Sequence, residues 1–202
     1  MAEQVYPTKG NLIKIKKSLD LARIGFDLLD RKRNILVRET MALIDTAEEI
    51  QSRINTTYKE AYRALQEANI TLGIVDDIAV SIPEEESVEI TYRSVMGVEI
   101  PSVSIHPQPL KNYFGFRRTN VQFDEAYLKF DDVKRLTASL AEIENSVYRL
   151  AQGIRKTQKR ANALKNIIIP RFDAQVRFIT GALEEKEREE FSRLKVIKKN
   201  IR

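Results

Sequence analysis

The chain has 202 residues, enough for one domain with a sizeable core, yet only seven glycines and six prolines at which to turn. Its 34 Lys and Arg interleave with 29 Asp and Glu, a pattern of long helices with solvated faces rather than of a concentrated nucleic-acid-binding patch. No cysteine is present, which excludes disulfides and thiol chemistry. No apolar run reaches the roughly 20 residues of a membrane span or forms a signal-peptide core, so a soluble intracellular protein is expected.

Near the N-terminus, "TKGN" places Lys9 beside Gly10 and Thr8. A phosphate-binding loop needs an earlier glycine and a buried strand leading into it, and neither is there, so nucleotide binding is not expected. From Leu12 onward, steps of three and four alternate through Ile15, Leu19, Ala22, Phe26, Leu29, Arg33, Leu36, Thr40, Leu43, Ala47, Ile50 and Ile54 to Thr71. Fourteen of these 18 positions are apolar, against about eight expected from a chain that is 43% hydrophobic. The spacing predicts a coiled-coil helix over 9–78, roughly 100 Å long at 1.5 Å per residue.

Residues 79–120 read differently. Val88, Ile90 and Tyr92 alternate with polar residues, and Val98, Ile100 and Val103 follow a Met96–Gly97 step, which predicts a β-hairpin turning there and a proline-punctuated loop after it. The single histidine, His106, stands between prolines with no ligand-type neighbours and is read as an exposed loop residue. The acidic groups Asp76 and Asp77, 84–86, and Asp131 and Asp132 are read as helix ends and solvated loops rather than acid–base dyads.

Residues 121–202 carry a second seam: Val133, Leu136, Leu140, Ile143, Val147, Leu150, Ile154, Thr157, Ala161, Leu164 and Ile168. Two successive steps of four (Ile168, Phe172, Val176) interrupt it before Ile179 and Leu183, and Leu194, Ile197 and Ile201 extend it to the terminus. The interruption is a stutter, and it coincides with Pro170, which predicts a local unwinding and a kink. Two such helices joined by a short excursion bury their seams most simply by folding back on each other. The expected fold is mainly α: one domain, an antiparallel two-helix coiled coil with a small β-hairpin and loop region between the helices.

Charge offers a register for that pairing. Lys14, Lys16 and Lys17 would meet the acidic run at 184–190, Glu48 and Glu49 would meet Arg155 and Lys156, and Gly25 would lie opposite Gly181. In that register Arg33 sits in the seam near Arg171. Of the intrahelical glycines Gly25, Gly153 and Gly181, the first and last are then candidates for a close helix approach.

The stretches "PTKGNLIKIKKSLDLARIGFDLLDRKRNILVRE", "RSVMGVEIP" and "NALKNIIIPRF…ITGALEEKEREEFSRLKVIKK" resemble the D subunit of the V/A-type ATPases and ATP synthases over nearly the whole chain. Asp30 departs from the pattern, since the family more often carries a basic residue there. The resemblance implies that Pro7 and Thr8 start the first helix and that the chain is a central-stalk rotor component, not itself an enzyme and without cofactor, metal or bound nucleotide. Its implied partners are the F subunit, the catalytic A and regulatory B subunits of the hexamer, and the socket subunit (C or d) above the membrane ring. The implied location is the cytoplasmic, membrane-peripheral sector of a complex that couples ATP synthesis or hydrolysis to proton or sodium transport. Arg31, Lys32, Arg33 and Arg171 are the candidate hexamer contacts, read as a basic belt. A passive coiled-coil scaffold or tether is the alternative.

Overall fold

Heptad spacing becomes one continuous helix in the computed structural model, which describes residues 6–84, 86–105, 113–115 and 119–200. Helix α1 runs Lys9–Leu72. Thr8 caps it, its hydroxyl accepting the Asn11 N–H at 3.2 Å while its carbonyl accepts that of Leu12 at 3.0 Å. The helix stops at Leu72, short of the expected 78, because Gly73 takes a left-handed φ of 81° and donates its N–H back to the Asn69 carbonyl. The single-turn helix α2 (Asp76–Ala79) follows.

Strands β1 (Val88–Val95) and β2 (Val98–Ile105) pair antiparallel. Val95 faces Val98, so the turn is the two residues Met96 and Gly97, at φ 50° and 73°. Positive φ at both turn positions matches the right-handed twist of the strands, and glycine carries the second at no steric cost. His106 and Ile201 lie outside the described residues.

Helix α3 (Val121–Ala163) opens with Asn120 as its cap, whose side-chain oxygen accepts the Phe123 N–H at 3.0 Å. A π-helical turn, Leu164–Ile168, joins it to α4 (Ile169–Asn200), with the Ile169 N–H reaching the Leu164 carbonyl. The stutter and the proline share this turn. A π-turn absorbs the extra residue of the interrupted heptad, and it loosens the ladder just where Pro170 lacks a donor.

The chain divides into two compact units: residues 35–153, and residues 1–34 with 154–202. In the first, α1 packs antiparallel on α3 around Leu36, Ile54, Ala61, Ala64, Ala68, Ala126, Val133, Ile143 and Leu150, all buried. Glu60 reaches Lys129 at 3.7 Å, and Tyr62 meets Phe130 edge-on at 5.6 Å. Hydrogen bonding to Glu125, aided by the charges of Glu125 and Glu60, raises the Lys129 ammonium above its usual range. Where α1 ends, Ala68, Val75 and Phe123 form a small core with Leu65, Leu72, Ile78 and Phe114 packed on it.

In the second unit, α1 packs antiparallel on the end of α3, the π-turn and α4, around the buried Leu19, Ala22, Ala161 and Ile179. Lys9 meets Glu187 at 3.0 Å and Arg23 meets Asp173 at 3.1 Å. These pairs correct the charge-derived register by about one to two heptads, a shift that leaves seam facing seam. Gly25 therefore meets Leu164, whose Cδ1 is 3.7 Å from a Cβ built there, and among the described residues nothing lies within 4 Å of a Cβ at Gly181. The expected extension of the second seam also ends early. With Glu187 already opposite the first turn of α1, Leu194 is 64% exposed and Ile197 52%.

Of the seam residues named above, Leu12, Phe26, Leu43, Ile50, Leu140, Val147, Ile154, Leu164 and Leu183 are half-buried, while Leu19, Leu36, Leu150 and Ile179 are buried. Leu36 and Leu150 are 0% exposed. Replacing either with Ala should lower the unfolding free energy by about 2–5 kcal/mol, and the half-buried Leu43 by less. Urea titration followed by circular dichroism measures this; losses under about 0.5 kcal/mol at Leu36 and Leu150 would show that the seam does not carry the helix pairing.

Candidate partner-binding surfaces

Heptad position 33 puts a cation where an apolar residue is expected, and the fold resolves it locally. Arg33 Nη2 sits 2.7 Å from Asp30 Oδ1, one helical turn earlier, and 2.9 Å from Asn34 Oδ1. Its Nη1 donates to Gln158 Oε1 on α3 at 3.0 Å, and Gln158 Nε2 donates in turn to Asn162 Oδ1 at 2.8 Å. Arg33 is thus tied within the chain, facing Gln158 and not the neighbourhood of Arg171. Asp173, two residues beyond Arg171, is bound by Arg23. Asp30 supplies the carboxylate that holds Arg33.

The belt changes composition accordingly. Arg31 and Arg171 are exposed, Lys32 is half-buried, and Arg33 is engaged. The Arg33–Gln158 contact brings the α3 segment 155–160 alongside 31–33, and Arg155, Lys156, Lys159 and Arg160 are all exposed there. That segment contains no acid. Its basic run is plain in the sequence, but the charge-derived register assigns Arg155 and Lys156 to glutamates and hides them. A little further on, Lys165 Nζ lies 5.8 Å from the centre of the Phe26 ring.

Apolar side chains are exposed at many points along the described residues, and Phe191, Leu194, Val196 and Ile197 are among them at the end of α4. Among the described residues no group of His, Cys, Asp or Glu could hold a metal ion, and no helix is long and apolar enough to cross a membrane. Asp131, one of the paired acids, is bound by Lys134 at 2.7 Å and Arg135 at 2.8 Å on its own helix. Charged and apolar helix faces, rather than a ligand cluster, are what the described residues offer.

The chain is similar to known proteins along nearly its whole length. A family model described as that of the ATP synthase D subunit matches residues 11–199, and the chain belongs to that family. It is 46% identical to the V-type ATP synthase D subunit of Thermotoga neapolitana over 98% of each chain. It is 38% identical to the A-type ATP synthase D subunit of Thermococcus kodakarensis, over 98% of this chain and 96% of the relative. With the A-type D subunit of Pyrococcus furiosus the identity is 36%, over 96% and 94%.

The polar layer at Arg33 has a testable energetic sign. Polar groups in a coiled-coil seam specify register at a cost in stability. Changing Arg33 and Gln158 together to Leu should therefore raise the unfolding free energy by roughly 1–2 kcal/mol, while Arg33→Ala should lower it. Thermal and urea melts decide; a destabilised double-leucine variant would mean the layer stabilises the pair outright.

Proposed function

We propose that this chain is the central rotor axle of a V/A-type rotary ATPase or ATP synthase. In this reading it transmits rotation between the A/B hexamer and the membrane sector, coupling ATP hydrolysis or synthesis to proton or sodium transport. It performs no bond chemistry itself. Its partners are the A and B subunits, the F subunit, and the socket subunit above the membrane ring, and it works in the cytoplasmic, membrane-peripheral part of the complex. The observation that carries the proposal is the near full-length similarity, at 46% and 38% identity, to proteins named as the D subunits of V-type and A-type ATP synthases.

Physical features support an axle over a passive tether. Paired helices stiffen each other, and a surface of weak, solvated charges suits contacts that form and break at every step. Arg31, Lys32, Arg155, Lys156, Lys159 and Arg160 are such charges, with Arg171 further along; Arg33 is withdrawn from the set by Asp30 and Gln158. We assign the belt to acidic surfaces of the enclosing hexamer.

The test is reconstitution. Hexamer ATPase should depend on addition of this chain, whereas a passive tether would leave turnover unchanged. Changing Arg31, Lys32, Arg155 and Lys159 together to Gln should leave the helices folded and the F subunit bound while weakening hexamer affinity, most at low salt. The difference should shrink as salt screens the remaining charges. Equal affinities across the salt series would reduce the belt to an ordinary solvated face.

A further inference from the structure

Gly153 stands in the middle of α3, where glycine weakens a helix, and the hairpin explains it. A Cβ built there would lie 2.7 Å from Val98 Cγ2, closer than packed atoms approach, with Leu36 Cδ1 3.7 Å away. Val98 is β-branched and stiff, so it cannot swing aside cheaply. The glycine is the seat on which the turn end of β2 rests.

The same helix stripe continues away from Gly153. Arg149 Nη1 donates to the Glu99 carbonyl at 3.2 Å, the buried Ser146 hydroxyl to the Pro101 carbonyl at 3.3 Å, and the Val103 N–H donates to Glu142 Oε2 at 3.0 Å. Residues 142, 146, 149 and 153 recur at helical spacing and lie on one face. The strand positions they tie, 99, 101 and 103, alternate. In a hairpin closed by a two-residue turn at Val95 and Val98, these alternate positions point their backbone groups away from β1, toward the outer edge of β2. Pro101 fits this edge, since an outward residue gives no N–H to the ladder. Arg149 also reaches across both strands, its guanidinium carbon 5.3 Å from the Tyr92 ring centre.

We propose that α3 acts as a third strand made of side chains, and that the hairpin is a latch ordered by this stripe rather than by its own ladder. A two-stranded ribbon alone is marginally stable at best. Here β1 is exposed along nearly its whole length, Met96 occupies the left-handed region that disfavours a side chain, and burial is concentrated at Ile100 and Pro101. Removing the stripe releases the hairpin into disorder while the α1–α3 seam, built from other residues, stays paired. The hairpin is therefore a two-state element on a fixed helix pair, and anything that contacts β1 or the stripe biases it. This inference is independent of the rotor reading.

Native-state hydrogen exchange on the full chain, read by mass spectrometry, tests it. Gly153→Ala should speed exchange across 88–105 by about tenfold or more, while α3 around position 153 exchanges no faster, since alanine is the better helix former. The variant Glu142→Ala with Arg149→Ala, which alters no seam residue, should likewise speed exchange only across 88–105. Hairpin exchange within about twofold of the unaltered chain in both variants would overturn the proposal. Should Gly153→Ala disturb the helices too, the Glu142–Arg149 variant decides alone, and joint loss of hairpin and helix protection there would also overturn it.

Discussion

Everything in this molecule depends on the apolar seam between α1 and the helices that return along it. Neither α1 nor α3 and α4 has a favourable isolated state, because each exposes a stripe of leucine, isoleucine and alanine that water disfavours. Pairing buries the stripe of one against that of the other. It also leaves the opposite faces charged and solvated. In residues 35–153 the seam includes buried alanines at 61, 64, 68 and 126, and in the other unit it is centred on Leu19, Ala22, Ala161 and Ile179.

A seam of pure heptads could slide by seven residues and remain a seam, so its irregularities fix the pairing. Arg33 has a partner at Gln158, and a slip of one heptad would replace that partner with Ala151 or Lys165, neither of which can accept its hydrogen bond. The π-turn at Leu164–Ile168 breaks the repeat at one place only and ties it to Pro170. The same logic applies to the hairpin. Gly153 provides clearance for Val98 at one point on α3, and Ser146 and Arg149 hold the strand edge at points spaced to match. Each local irregularity lowers stability somewhat and narrows the number of ways the chain can assemble.

Sequence makes the elements legible where their signals are periodic and local. The three-and-four alternation marks positions that are buried or half-buried from Leu12 to Ala68, and Met96–Gly97 marks the turn between the strands. What is not legible depends on which distant residues meet. Charge matching misreads the helix register because exposed charges, each worth under about 1 kcal/mol, can be matched in several heptad frames. That one error displaces Arg33 from Gln158, pairs Gly25 with Gly181, and conceals Arg155 to Arg160 as part of the belt. The heptad pattern overruns the α1 boundary at Gly73 because the residues after it, Ile74, Val75 and Ile78, keep an apolar texture. The role of Gly153 cannot be read at all, since its neighbour Val98 is distant in sequence and nothing local announces the contact.

The register is the claim on which the rest turns, and native side chains can report it without mutation. Treating the full chain with a zero-length carbodiimide joins amines to carboxylates already in contact, and peptide mass spectrometry then locates the links. The ion pairs predict links from Lys9 to Glu187 and from Lys129 to Glu60, which lie 3.0 and 3.7 Å apart. Finding Lys156 joined to Glu48 or Glu49, with Lys129–Glu60 absent, would contradict the pairing described here and return the helices to the register that charge matching alone suggests.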